Sequence, residues 1–123
     1  MITGIANIHF YVQDMDKAVA FYTVAFGAEF LNGDEHWSRL RVDGLDLGLH
    51  GCDGHPVVKR DHDINGVKGG VTLALKSNDI AADRASLERL GAKILHESKA
   101  DWGHMMIFED LDGNVLNLVH EAI

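Results

Sequence analysis

The sequence holds one cysteine, Cys52, and one proline, Pro56, in 123 residues. A single thiol excludes an intrachain disulfide and fits a reducing compartment. No reactive-cysteine motif surrounds it, so it reads as an inert loop thiol. Positive charge is also scarce: 11 Lys and Arg stand against 19 Asp and Glu, a formal net charge of −8. With no basic stripe, neither nucleic acid nor a polybasic membrane surface is an expected partner. No apolar run approaches the roughly 18 residues of a membrane span. The start of the chain lacks a basic segment leading into an apolar one, so no secretory signal is expected. These absences predict a cytoplasmic protein.

What remains is an ordinary globular composition, 46% apolar and 24% charged, at a length that predicts one domain, residues 1–123. Residues 4–12 alternate as a strand. Asp14 is placed to cap a helix over 15–26, where Met15, Val19, Tyr22 and Phe26 recur at helical spacing, and Gly27 can close it with positive φ. Short strands follow at 28–31, 37–42 and 45–50, with Asp43-Gly44 as a tight turn. Residues 51–67 are polar, long for a loop inside a domain, and read as a linker or lid. The order then repeats: a strand over 70–76, a helix over 79–90 capped by Ser77 or Asn78 and closed by Gly91, and strands over 92–96, 103–109 and 115–120.

The two halves, 1–50 and 68–123, are therefore two βαβββ modules with little identity but the same glycine punctuation. Written against each other, His9-Phe-Tyr-Val lies on Thr72-Leu-Ala-Leu, and Leu47-Gly-Leu on Leu116-Asn-Leu. The fold class is α+β: two such modules forming a curved mixed sheet around a cavity. Alternation assigns the faces. Ile8, Phe10, Leu47, Leu49, Leu73, Leu75, Leu116 and Leu118 belong under the helices. Asn7, His9, Tyr11, Arg39, Arg41, Gly48, His50, Thr72, Ala74, Asn117 and Val119 belong to the open face, with Met105 and Ile107. Enclosing His, Arg and Asn without partners is costly, so this mixed face predicts a small-molecule cleft.

Three stretches, Asn7 to Tyr22, Gly70 to Asp79 and Phe108 to Val119, resemble the signature regions of the vicinal-oxygen-chelate superfamily, the glyoxalase, bleomycin-resistance and dioxygenase group. The resemblance spans essentially the whole chain. It implies a homodimer and, in the metalloenzymes, a divalent ion (Zn, Ni, Mn or Fe) that polarises substrate oxygens and stabilises an oxyanion. Carried onto this chain, the four metal positions fall on His9, Gly48, Thr72 and Asn117. Only His9 is a strong ligand; His50, on the same face as Gly48, is a substitute nitrogen. The eight histidines are otherwise dispersed, with no His-x-x-x-His pair.

Three functions follow. The first is a metal-free binding protein, with no cofactor, holding a small molecule through Tyr11, Trp37, Arg39, Gly48, His50, Thr72, Trp102, Met105, Ile107 and Asn117. The second is a divalent-metal lyase, isomerase or dioxygenase using His9 as ligand. The third is a metal-free enzyme in which His9 is a general base and Arg39 binds an anion.

Overall fold

A computed structural model describes residues 1–57 and 71–121. Residues 58–67 of the long loop, with His62, and the Gly69-Gly70 pair lie outside the described residues. The chain divides into two compact units, Met1–Val57 and Val58–Ile123.

The first unit runs β1 (Ile8–Val12), α1 (Met15–Phe26), β2 (Glu29–Gly33), β3 (Trp37–Val42) and β4 (Leu45–Gly51). Its sheet has the order β1-β4-β3-β2, with β1 and β4 parallel. α1 starts where Asp14 accepts a bond from Lys17 N at 3.1 Å and stops at Gly27, whose φ of 62° is left-handed. β3 turns into β4 through Asp43 and Gly44, with φ of 46° and 81°; two consecutive positive values are what a two-residue hairpin turn matching the strand twist requires. The helix buries Ala18, Phe21 and Tyr22. Met15, Val19 and Phe26 are only half-buried, so the most buried stripe is Tyr22 with its supporting neighbours Ala18 and Phe21. Beneath it pack Val12, Leu40, Leu47 and Leu49, all at most 1% exposed. Phe10 stacks on Tyr22 with ring centroids 5.9 Å apart.

The second unit runs β5 (Leu73–Lys76), α2 (Ile80–Arg89), β6 (Lys93–Ala100), β7 (Gly103–Glu109) and β8 (Val115–Glu121). Its sheet order, β5-β8-β7-β6, copies the first, with β5 and β8 parallel. Ile80 and Leu87 of α2 are buried, as are Met106, Phe108, Leu116 and Leu118 of the sheet. The β7–β8 turn is tied by Asp110, whose Oδ1 accepts from Asp112 N at 2.9 Å and Asn114 N at 2.8 Å. That is an aspartate turn joining two strands.

Three local expectations are corrected. The cap of α2 is neither Ser77 nor Asn78 but Asp79, which accepts from Ala82 N at 3.0 Å. Ser77 is occupied elsewhere: its hydroxyl accepts from Asp79 N and is bonded to the Asp83 carboxylate. β6 continues to Ala100 instead of ending at His96, because a bulge between Ile94 and His96 resets the register and the ladder resumes. The repeat is offset by two residues from the sequence alignment. His9 pairs with Gly48 and stands five residues before the cap Asp14; Ala74 pairs with Asn117 and stands five before the cap Asp79. Ala74, not Thr72, is the counterpart of His9.

Because the cap carboxylate satisfies an otherwise orphaned amide, Asp79→Ala is expected to cost about 1 kcal/mol and Asp79→Asn much less. Urea denaturation followed by circular dichroism checks this; equal losses would show that the cap does not act through that bond.

Candidate binding site on the open face of the first module

Strand pairing builds this site. Across the sheet, Arg39 pairs with Gly48 and Gly48 with His9; in the next row Trp37 pairs with His50 and His50 with Tyr11. Side chains in directly opposed positions share a face, so six of the predicted site residues lie together on one surface. Gly48 leaves a gap between Arg39 and His9, and the Trp37 indole fills it. A Cβ on Gly48 would stand 2.3 Å from Trp37 Cη2, 2.6 Å from Cζ2 and 2.9 Å from His9 Cβ.

The rings lean on one another. His9 meets Trp37 at 5.4 Å and 68°, Trp37 meets His50 at 5.9 Å and 83°, and Tyr11 meets His50 at 4.8 Å and 45°. The first two are edge-to-face contacts, favourable for ring quadrupoles. Trp37 is half-buried, whereas His9 and Tyr11 are exposed. His50 donates Nδ1–H to the Gly51 carbonyl at 2.7 Å, and His9 donates Nδ1–H to Asn7 Oδ1 at 3.0 Å. An oxygen acceptor on Nδ1 fixes the tautomer of a neutral imidazole, leaving Nε2 with its lone pair.

Asp46 holds the arginines. Its Oδ2 accepts from Arg39 Nη2 at 2.8 Å, and its Oδ1 accepts from Arg41 Nη2 at 3.2 Å and Nε at 3.3 Å. The Arg39 hydrogen bond, then that of Arg41, holds the Asp46 carboxyl below its ordinary value. One carboxylate thus serves two guanidiniums, which remain 43% and 45% exposed. A hollow of about 260 Å³ is lined by Ala6, Asn7, Trp37, Arg39, Asp46, Leu47 and Gly48. Of two larger hollows, the one of about 500 Å³ beside the start of α1 gathers none of the residues assigned to the open face, and the one of about 710 Å³ beside the start of α2 takes only Ala74 and Val119 of them.

At the mouth of β3, His36 donates Nδ1–H to Asp53 at 2.9 Å with Glu35 at 3.3 Å, and the Asp53 bond raises its pKa. A raised histidine stabilises the fold fully below its unfolded value and loses that contribution as pH rises through the folded one. His36 is exposed, so the effect on stability is small. In an NMR titration, Asp53→Asn is expected to bring the His36 midpoint down; an unmoved midpoint would show that Asp53 is not the cause.

In the second module, Met105, Ile107, Asn117 and Ala74 share the open face: Ile107 and Ala74 both pair with Asn117, and Met105 pairs with Val119. Asn117 Oδ1 is buried and lacks a hydrogen-bond partner among the described residues. Thr72 is exposed just before β5. Trp102 is 48% exposed in the β6–β7 turn, five residues from Ile107 along the strand. Sequence reasoning placed Asn7 on the open face but missed Asp46 as a residue that shapes the site. The signal for Asp46 was its position two residues before Gly48 on the same face.

The residues do not fit the metal centre that the resemblance implies. His9 could supply one ligand, but Gly48 lies under Trp37, and the repeat brings Ala74 rather than a ligand into the third position. Among the described residues, no three His, Cys, Asp or Glu side chains converge as a metal site.

The family itself is settled by comparison. The Glyoxalase/Bleomycin resistance protein/Dioxygenase superfamily model matches residues 4–118, and the chain belongs to that superfamily. The fosfomycin resistance protein FosX from Listeria monocytogenes, in a structure with manganese(II) and sulfate, is similar with a TM-score of 0.79 at 20% identity, covering 100% of this chain and 94% of that one. FosX from Mesorhizobium loti gives 0.75 at 18%, covering 100% and 96%. A glyoxylase/bleomycin resistance protein/dioxygenase domain from Frankia sp. gives 0.75 at 20%, covering 99% and 94%. At these identities the likeness is one of fold. No match is found among curated proteins. No helix among the described residues is long and apolar enough to cross a membrane.

Proposed function

We propose that this protein binds a small organic molecule on the open face of the first module without the family's four-ligand metal centre. One observation carries the reading: the Trp37 indole occupies the space over Gly48 where a ligand side chain would stand. An indole laid over a glycine offers an apolar platform, and Arg39, His9 and Tyr11 around it supply polar contacts that fix orientation. The reading takes the protein as cytoplasmic, as the single thiol suggests, and as a homodimer, as the resemblance implies; sedimentation velocity tests the assembly.

A second reading rests on a different observation. His9 and His50 both have Nδ1 engaged by an oxygen acceptor on the same face, and a hydrogen bond on the far nitrogen is how proteins orient metal-binding imidazoles. Their ring centroids are 6.2 Å apart. Metal-dependent lyase, isomerase or dioxygenase chemistry would then need ligands beyond these two.

Two measurements separate the readings. Elemental analysis of protein purified without chelators is expected to show no stoichiometric Zn, Ni, Mn or Fe; a full equivalent lost in His9→Ala or His50→Ala would overturn the proposal. Titration with a panel of charged and neutral small aromatic molecules, followed by the emission of Trp37 in a Trp102→Phe background, is expected to give saturable changes, and titration calorimetry of Trp37→Ala is expected to show the binding lost. Absence of binding by every member would also overturn it.

A further inference from the structure

We infer that the ligand of this face is a planar aromatic molecule bearing a carboxylate, its ring on the Trp37 indole and its charge on Arg39. The inference rests on the binding role proposed above and deepens it. The ring placement follows from the glycine gap: the indole bridges Gly48, with Arg39 on one side of that row and His9 on the other. A flat ring over the indole therefore has a guanidinium at one edge and an imidazole at the other.

The charge follows from the ion pairs. Arg39 and Arg41 share the single Asp46 carboxylate, and both Asp46 oxygens are taken. Arg39 gives Asp46 only one of its five N–H donors, and a planar guanidinium with free donors matches a carboxylate in bidentate fashion. Glu29 pairs with Arg41 across β2 and β3, four residues along β3 from Trp37, and does not offset Arg39 directly. On the other side, Asp34 and Glu35 precede Trp37, and hydrogen bonds from the backbone of His36 and Trp37 hold the Asp34 carboxyl below its ordinary value. An anionic ligand is therefore drawn toward Arg39 and away from the start of β3. The hollow of about 260 Å³ beside Trp37 and Arg39 has the scale of a single substituted ring.

The test uses 4-nitrobenzoate and its neutral counterpart 4-nitrobenzamide, two flat quenchers of indole emission. Each is titrated into the Trp102→Phe protein, where Trp37 is the sole tryptophan. The acid is expected to bind about tenfold more tightly than the amide, the scale of one charge-assisted contact. Arg39→Gln is expected to remove that tenfold, read as the ratio of the two affinities, and an unchanged circular dichroism spectrum separates lost charge from lost folding. Equal affinities for acid and amide, or an Arg39→Gln variant that keeps the preference, would sink the carboxylate inference while leaving the binding role intact. Saturable binding of neither, together with silence across the wider panel, would sink both.

Discussion

Phe108→Ala is expected to lower the unfolding free energy by about 3–5 kcal/mol, the range for truncating a fully buried aromatic ring. Phe108 has 0% of its surface exposed and is the penultimate residue of β7. It pairs with Leu116 on β8 and Ile94 on β6, and its face is the one shared with Met106, Leu116 and Leu118 beneath α2. Removing the ring leaves a cavity, whose cost adds to the lost transfer free energy. Against a typical stability of about 5–15 kcal/mol, this is a large fraction. Phe108→Leu keeps most of the volume and is expected to cost less than half as much. Urea denaturation with a constant slope checks both; a loss below about 1 kcal/mol for the alanine variant would remove Phe108 from the core.

The fold was largely legible because both modules keep strict local periods. α1 and the strands β3 and β7 fall where spacing alone put them. The errors arose where a local signal had two readings. Ser77, Asn78 and Asp79 are all good capping residues, and the choice among them depended on Asp83, one helical turn further on, which engages Ser77. β6 looked short because Glu97, Ser98 and Lys99 break the apolar pattern; only pairing with β7 through a bulge shows the strand continuing. The two-residue offset in the repeat follows from the same choice: setting His9 on Thr72 sets Asp14 on Ser77, whereas the second cap is Asp79. The site was half legible. Alternation placed His9, Tyr11, Trp37, Arg39, Gly48 and His50 on one face of the first module. It could not show that Trp37 folds over Gly48 or that Asp46 clamps two arginines, because both depend on the β3–β4 register and on side-chain direction across strands.

Gly48→His, which installs an imidazole at the position the resemblance assigns to a metal ligand, is expected to destabilise the protein by about 1–3 kcal/mol, the cost of forcing a side chain into filled space. The new Cβ alone would overlap Trp37 Cη2 at 2.3 Å and press on His9 Cβ at 2.9 Å. The flexible partner is the indole, so the ring swings out and its emission, read in the Trp102→Phe background, shifts to the red. Trp37→Ala in the same chain removes the obstacle, so the pair should be non-additive, with a coupling of about 0.5–3 kcal/mol in the direction of relief. With the indole gone, the introduced imidazole and His9 stand on directly paired positions of β1 and β4. The double variant is then expected to retain Ni or Zn through gel filtration where Trp37→Ala alone does not. If Gly48→His is instead tolerated with unchanged stability and unchanged Trp37 emission, the indole does not cover the glycine. The position would then be open to a metal ligand by a single substitution, and the metal-free reading of this face would lose the observation on which it stands. The glycine and the tryptophan thus form one feature: a small residue on β4 exists where a large one on β3 has taken the site's central space.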